Sequence, residues 1–240
     1  MSYPVTFEAD YVDRRSRLTV FFRLILAIPL WIWLYFYAIA ALVAIVIAWF
    51  AIVITARYPR PLYEFVSGYT RFVTRVTAYT ALLCDPYAPF LGTPDPAYPI
   101  RMQFVPLERY SRLKTLFRFI LAIPIVVVRY VMGLLIEIGA FAAWFVIVIT
   151  GRMPRGLFDL MVLGNSYTAR SDAYLYLLTE TYPPFQDDDT RAAGMAGSPP
   201  PSEPAGAERP ASEPPGDGLS TSEPPTSSEP PASEPPAQSA

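Results

Sequence analysis

TARYPRPLYE occupies residues 55–64, and a near copy, TGRMPRGLFD, occupies residues 150–159. Threonine, two arginines and a proline recur at the same spacing, and each copy directly follows a long apolar run. A proline disfavours helical geometry at the preceding residue, while arginine side chains keep their charge in water or among headgroups. We therefore interpret each copy as a corner where an apolar helix ends at the basic side of a membrane.

The two corners belong to an internal duplication with a period of 95 residues. SRLTVFFRLILAIP aligns with SRLKTLFRFILAIP, and AWFAIVITARYPR aligns with AWFVIVITGRMPR, without gaps. A fixed period is the signature of a repeat architecture. The sequence thus divides into a repeat at 1–90, a linker at 91–97, a second repeat at 98–185 and a tail at 186–240.

Composition separates the tail from the repeats. The 240 residues are 52% hydrophobic and only 17% charged, which is too apolar for an ordinary soluble domain. Residues 186–240 carry ten acidic and two basic side chains, so the repeats carry a net charge of +6 within the total of −2. The tail repeats SEPP phrases without apolar periodicity, which predicts disorder, either as a docking or phosphorylatable arm or as a solvating tether.

The apolar runs determine the predicted topology. Residues 24–54 contain no charge, and residues 119–149 contain only Arg129 and Glu137. With its flanking turns each run has about 35 residues, or about 52 Å as one helix, against a hydrocarbon core of about 30 Å. Two short spans fit this length better than one. We therefore predict a hairpin in each run, with spans at about 19–37, 39–56, 114–131 and 134–151.

The distribution of basic residues favours the hairpins. If each run crossed the membrane once, the arginines would divide between the two sides with almost no bias. With hairpins, sixteen of the seventeen basic residues before the tail lie on one side, and Arg129 is the exception. Cytoplasmic flanks collect lysine and arginine. Four spans with both termini in the cytoplasm are therefore predicted.

Arg129 and Glu137 flank Gly133, the midpoint of the second run. At a tight external turn both charges would lie in water, which avoids the high cost of an ion inside the membrane. The alternative makes them an intramembrane pair in a transport path. The hairpin turn predicted in the first run would lie near Trp31 and Trp33, and tryptophan is typical of the headgroup level.

A further helix is predicted after each corner. Over residues 60–84, apolar side chains recur at three- and four-residue steps, while Arg71 and Arg75 occupy the opposite face. This pattern predicts an interfacial amphipathic helix. The second copy, 155–178, is more apolar, and packing on protein is its alternative. The candidate headgroup contacts are Arg57, Arg60, Arg71, Arg75, Arg152 and Arg155.

A short alternating segment precedes each apolar run. Val5 and Phe7 alternate with polar residues, and Ile100 and Met102 keep the same phase in the second repeat. A strand this short needs a partner to be stable. We therefore expect the two copies to pair as a small cytoplasmic strand pair.

No motif for catalysis or metal binding is evident. Histidine is absent and Cys84 is the single cysteine, so one chain builds neither a disulfide nor a cysteine–histidine metal cluster. Glycine-rich phosphate loops and nucleophile elbows are absent too. We expect no enzyme activity, no cofactor and no nucleic-acid partner. Cys84 is interpreted as a buried small residue, with palmitoylation as the alternative.

The corners and the exits DPYAPF (85–90) and ETYPPF (180–185) resemble a bacterial, mainly actinobacterial, membrane-protein family, domain of unknown function 4389. The resemblance covers residues 3–185 in two tandem copies. It implies a protein of the bacterial plasma (inner) membrane and brings no activity to carry over. The first copy departs from the family pattern at Ala56, Pro61 and Ala88.

These patterns predict an all-α polytopic membrane protein with two parallel repeats, each a two-span hairpin and an interfacial helix, related by an axis near the membrane normal. The predicted function is a non-enzymatic scaffold or accessory subunit that contacts membrane lipids or a membrane-protein partner at the cytoplasmic face. The alternative is a small transporter or channel component, with Arg129 and Glu137 as path residues.

Overall fold

The computed structural model describes residues 3–184, and the tail predicted at residues 186–240 lies outside the described residues. Each repeat contains a strand, a short helix, a long helix and a 21-residue helix, in the same order. In chain order the elements are β1 (Val5–Ala9), α1 (Arg17–Phe21), α2 (Arg23–Thr55), α3 (Arg60–Thr80), β2 (Ile100–Phe104), α4 (Arg112–Leu116), α5 (Arg118–Thr150) and α6 (Arg155–Leu175). The protein is mostly helical and built from two repeats.

Each apolar run forms one unbroken helix, so the predicted hairpins are wrong. α2 and α5 are each 33 residues long, and the predicted turns near Tyr37 and Gly133 lie inside them. A helix satisfies its backbone hydrogen bonds internally, which an apolar segment requires, and neither run has a helix-breaking residue at its midpoint. Glycine costs a helix only about 1 kcal/mol relative to alanine, so Gly133 does not end α5.

Local sequence sets the ends of the helices in both repeats. The side-chain oxygens of Ser16 and Ser111 accept amide hydrogen bonds at the starts of α1 and α4. Ala56 follows α2 with a φ of 57°, and Gly151 follows α5 with a φ of 73°. This left-handed conformation stops a helix and suits glycine, while the Cβ of alanine makes it less favourable. The turn is therefore the same in both corners although the residue differs.

β1 and β2 pair as an antiparallel ribbon, which confirms the predicted strand pair. The register runs from Val5 opposite Phe104 to Ala9 opposite Ile100, with Phe7 opposite Met102 at the centre. Phe7 and Met102 are 95 residues apart and are therefore equivalent positions of the two repeats. A position that pairs with its own equivalent requires a local two-fold axis between the two strands.

The two-fold relation continues at the corners. The Arg15 amide donates a hydrogen bond of 3.0 Å to the Gly151 carbonyl oxygen. The Tyr110 amide donates a hydrogen bond of 3.0 Å to the Ala56 carbonyl oxygen, and these two residues are the equivalents of the first pair. Each corner is thus held by the loop that precedes the short helix of the other repeat.

The elements form three layers. The β1–β2 ribbon contacts α3 and α6, which contact each other in the middle layer. α2 packs on α3, and α5 packs on α6, on the side away from the ribbon. Eleven residues of α3 and twelve of α6 are buried. The interfacial position predicted for the first helix is therefore wrong, whereas packing on protein, the alternative for the second, is confirmed.

The long helices run antiparallel in their layer. Phe21, just before α2, stacks on Trp144 near the end of α5, with ring centroids 6.2 Å apart. Trp49, near the end of α2, lies 6.0 Å from Phe119 at the start of α5. Two antiparallel neighbours are related by a two-fold axis perpendicular to the plane that contains them. The axis through the ribbon therefore also passes between α2 and α5.

Candidate membrane-binding surface

α2 buries one narrow stripe and leaves most of its surface uncovered. The buried residues share one face of the helix, toward α3 and the opposite repeat: Arg23, Ala27, Leu30, Ala41, Ala44, Ala48 and Ile52. Large apolar side chains cover the remaining surface, among them Ile25 and Phe36, each 62% exposed. α5 is alike, with Phe141 at 68%. Soluble monomers rarely expose an apolar patch of this length.

Both long helices have the length and hydropathy of a membrane-crossing helix. Their most apolar 18-residue windows have mean hydropathies of 2.8 and 2.5. A core helix of a soluble protein can reach such values, but then it is buried. Only 22% and 11% of these two windows are buried. The uncovered surface is therefore suited to contact with lipid.

Four arginines surround the first corner. Arg57 and Arg60 come from the corner itself, whereas Arg109 and Arg112 come from the loop before α4 and its first residue. Arg57, Arg60 and Arg109 line a depression of about 770 Å³, and Arg57, Arg109 and Arg112 line a neighbouring one of about 600 Å³. All four side chains are exposed, and none forms an ion pair within residues 3–184.

The larger depression also contains carboxylates. Glu64 and Glu108 line it together with the arginines. Four guanidinium groups against two carboxylates leave a net positive charge at the corner. Guanidinium forks match the oxygens of a phosphate group. We name this set of Arg57, Arg60, Arg109 and Arg112 the first arginine corner.

The second repeat has the equivalent set of exposed side chains, the second arginine corner: Arg14, Arg17, Arg152 and Arg155. Here some arginines have partners. The Arg155 guanidinium lies 4.5 Å from the centre of the Tyr11 ring. Arg152 Nε lies 4.0 Å from Asp13 Oδ2, at the outer limit of an ion pair. The first corner is therefore the freer of the two for an external anion.

The family described as Domain of unknown function (DUF4389) matches residues 17–91 and 112–186. The chain belongs to this family. One match covers the helical part of each repeat, so the predicted membership with two tandem copies is confirmed. Neither the curated proteins nor the solved structures searched contain a match to the chain.

Four of the eight corner arginines are among the headgroup contacts predicted from the sequence. The candidates Arg57, Arg60, Arg152 and Arg155 all lie there and are exposed. The other four arginines come from the opposite repeat and were missed: Arg14, Arg17, Arg109 and Arg112. A signal was available, because Arg14 is equivalent to Arg109 and Arg17 is equivalent to Arg112 at the 95-residue period. Charge repeated at matching positions could have indicated a shared role.

Arg71 and Arg75 do not belong to this surface, and their prediction as headgroup contacts is wrong. Arg75 is 2% exposed, donates a hydrogen bond of 3.0 Å to the Thr93 carbonyl oxygen and lies over the Tyr98 ring. Arg71 donates a hydrogen bond of 3.0 Å to the carbonyl oxygen of Met102 in the ribbon. Burial lowers the pKa of both guanidinium groups. They therefore connect α3 to β2 and to the segment that precedes it.

Arg129 pairs with Asp172 and not with Glu137. Arg129 Nε lies 2.6 Å from Asp172 Oδ1, and the Asp172 side chain is only 2% exposed. Glu137 is exposed on α5. The predicted external turn between Arg129 and Glu137 is therefore wrong, and so is their pairing in a transport path. In the first DUF4389 repeat the equivalent positions are Leu34 and Thr77, so the ion pair belongs to one repeat only.

Buried arginines hold the exits of both DUF4389 repeats. Arg23 donates hydrogen bonds to the carbonyl oxygens of Tyr79 (3.0 Å) and Cys84 (2.8 Å) and to Asp85 (2.8 Å). Its equivalent, Arg118, donates to the Thr179 carbonyl oxygen. These contacts satisfy backbone groups that would otherwise be buried without a partner. They have a structural role.

Cys84 is 1% exposed, which confirms its interpretation as a buried small residue. Burial raises the pKa of its thiol. Within residues 3–184, no group of three or more histidine, cysteine, aspartate or glutamate side chains could hold a metal ion. In the part of the chain that the structure describes, the arginine corners and the apolar surface of α2 and α5 offer contact to another molecule.

Proposed function

We propose that the protein is a non-enzymatic scaffold or accessory subunit of the bacterial plasma membrane, with both termini in the cytoplasm. It acts at the cytoplasmic face, where it contacts anionic lipids and a membrane-protein partner. The observation that carries this proposal is the uncovered apolar surface of α2 and α5, which has an arginine corner at each end.

The two features contribute differently to membrane binding. Apolar side chains transferred from water to hydrocarbon stabilise the bound state by about 25 cal/mol for each Å² removed from water. Arginines near an anionic surface add about 1 kcal/mol each, and salt screens this contribution. The apolar surface therefore supplies affinity for any bilayer, and the arginine corners supply the preference for anionic lipid.

The corners suit binding more than transport or catalysis. Their side chains are exposed guanidinium groups arranged around shallow depressions, which can accept a phosphate from the surface. The transporter alternative has lost Glu137 as a partner of Arg129. Among residues 3–184 it retains the Arg129–Asp172 pair, which occurs in a single repeat.

Membrane association is tested with the purified protein transferred from detergent to vesicles. The vesicles contain either phosphatidylcholine alone or phosphatidylcholine mixed with phosphatidylglycerol, and they are floated on a density gradient at low and high salt. We expect flotation with both compositions and resistance to carbonate extraction. We also expect more phosphatidylglycerol than phosphatidylcholine to remain with the protein after mild detergent treatment, with the difference smaller at high salt. A folded protein that stays at the bottom of the gradient with both vesicles would contradict the proposal.

A further inference from the structure

The geometry points to an in-plane attachment: α2 and α5 lie parallel to the membrane within one leaflet and do not cross it. Both arginine corners and the ribbon then lie on the same side of the membrane. This inference rests on the proposed membrane function and specifies how the protein meets the bilayer. The occupant of the apolar surface is a single leaflet that contains anionic lipid.

The two arginine corners lie at the ends of the long helices. Arg57 follows the end of α2, and Arg152 follows the end of α5. Because α2 and α5 run antiparallel, the two corners lie at opposite ends of the helix pair. Each helix has 33 residues, which is about 50 Å at 1.5 Å per residue. The pair is therefore a long apolar plate with four arginines at each end.

A crossing orientation conflicts with this charge distribution. If α2 and α5 stood across the membrane, each side would receive one arginine corner, without the bias that orients membrane proteins. The helices of about 50 Å would also exceed the hydrocarbon core of about 30 Å. Long helices can tilt to reduce such a mismatch. Tilting, however, does not bring the two corners to the same side.

The ribbon gives a second, independent objection to crossing. Arg101 Nε lies 2.9 Å from Glu8 Oε2, and Arg101 Nη1 lies 2.7 Å from Asp10 Oδ2. Because side chains alternate along a strand, Glu8 and Arg101 lie on the face of the ribbon opposite the buried Phe7 and Met102. These three side chains, together with the exposed Gln103, mark a polar face. In a crossing orientation the three layers would stand side by side within the membrane. The polar face of the ribbon would then contact the lipid chains. Charged side chains in hydrocarbon are costly.

The in-plane orientation removes both conflicts. The three layers lie parallel to the surface, with α2 and α5 in the acyl region and the ribbon in water. One helix layer is about 10 Å thick, which matches the depth of about 5–10 Å to which interfacial helices sink. The two-fold axis then coincides with the membrane normal, so both corners lie at one depth, among the headgroups. Positive corners and anionic headgroups are complementary there.

Two matched cysteine pairs test the orientation. Cys84 is first replaced by threonine, the residue at the equivalent position 179. Single cysteines are then placed at Glu64→Cys and Asp159→Cys, which are equivalent exposed positions beside the two corners, with Thr55→Cys and Thr150→Cys as a second equivalent pair. Gln103→Cys reports the ribbon, and Ile39→Cys, on exposed α2 surface, reports the apolar plate. An impermeant maleimide is added to sealed right-side-out and inside-out vesicles.

We expect both members of each corner pair to react from the same side as Gln103→Cys, and Ile39→Cys to react from neither side until the vesicles are dissolved. Corner cysteines that react from opposite sides would overturn the in-plane attachment while leaving the membrane function intact. Cross-linking between copies at Ile39→Cys would also overturn it, because a second copy would then cover the plate. Recovery of the protein outside the vesicle fraction would overturn the proposed function and this inference together. Variants are compared only when their thermal unfolding matches that of the Cys84→Thr protein.

Discussion

Phe7 lies directly opposite Met102 in the antiparallel ladder, and the two residues occupy the same position in the two repeats. Both side chains are buried. In a homodimer such a self-pairing position lies on the two-fold axis of an isologous interface. The duplicated chain reproduces this arrangement within one molecule, and the ribbon is one of the contacts between the two repeats, beside the corner hydrogen bonds and the packing of α3 on α6.

Truncation of this pair should destabilise the protein and show coupling. Phe7→Ala is expected to lower the free energy of unfolding by about 3–5 kcal/mol, and Met102→Ala by about 2–5 kcal/mol, because each leaves a cavity in the core. The double variant should lose less than the sum of the two, with a coupling of about 0.5–3 kcal/mol. Denaturant unfolding in detergent measures all three. Additive losses would contradict direct packing between the two side chains.

The repeat and the strand pair were predictable because both rest on local pattern. Alternation around Phe7 and Met102 indicated strands, and the 95-residue shift indicated that each strand had a ready partner. The hairpin prediction is wrong because it rests on run length against membrane thickness alone. The sequence near Tyr37 and Gly133 has no local signal for a turn, and each run forms one continuous helix.

Gly133 distinguishes a continuous helix from a hairpin. A Cβ added at Gly133 would meet nothing within 4 Å, so Gly133→Ala should be tolerated. It should raise the free energy of unfolding by about 1 kcal/mol, because alanine favours the helix. Gly133→Pro should lower it by about 3 kcal/mol or more, because proline removes a helical hydrogen bond and clashes with the preceding turn. Thermal unfolding in detergent compares the variants, and a tolerated proline would favour a turn.

Buried and exposed arginines should differ sharply in their effect on stability. Arg23→Met leaves the carbonyl oxygens of Tyr79 and Cys84 without their donor, so a loss of about 3–5 kcal/mol is expected. Arg101→Gln removes two ion pairs, yet these are partly exposed, so a loss below about 1 kcal/mol is expected. Denaturant midpoints at two salt concentrations give the comparison. A loss for Arg23→Met as small as the one expected for Arg101→Gln would show that the contacts of Arg23 are dispensable.

Cys84 should make stability depend on pH. Burial raises the pKa of its thiol, so the folded protein keeps the proton at a pH where the unfolded chain, with a thiol pKa of about 8.5, releases it. The resulting contribution to stability is fully present below that pH and is lost as the pH rises further. Urea midpoints between pH 7 and about 9.5 should therefore fall faster for the wild type than for Cys84→Thr. Ready reaction of native Cys84 with a thiol reagent at pH 8 would contradict its burial.

The arginine predictions show where sequence reasoning stops. A helical pattern places Arg71 and Arg75 on a polar face, but it does not reveal what that face contacts. In the structure these arginines contact the carbonyl oxygens of Thr93 and Met102, which lie outside α3 in the sequence. The corner arginines could be predicted as exposed because they flank Pro59, at the end of an apolar run. The arginines of the opposite repeat that complete each corner can be identified only once the fold is known.

A comparison of two sets of arginine variants separates lipid binding from packing. In the first arginine corner, Arg57→Gln, Arg60→Gln, Arg109→Gln and Arg112→Gln are combined. Because these side chains are exposed and join no ion pair within residues 3–184, thermal stability in detergent should stay the same. Each removed charge should cost about 1 kcal/mol of binding to anionic vesicles at low salt, and the loss should fade at high salt.

The matched control is Arg71→Gln with Arg75→Gln, which removes the partly buried Arg71 and the buried Arg75. Here the loss should appear in thermal stability, because the carbonyl oxygens of Met102 and Thr93 lose their donors. Binding to anionic vesicles by the fraction that remains folded should match the wild type. Flotation and thermal unfolding of both variants give four measurements. A corner variant that keeps its preference for phosphatidylglycerol, beside a control that loses it while remaining folded, would show that the lipid contact lies on α3 and not at the corner.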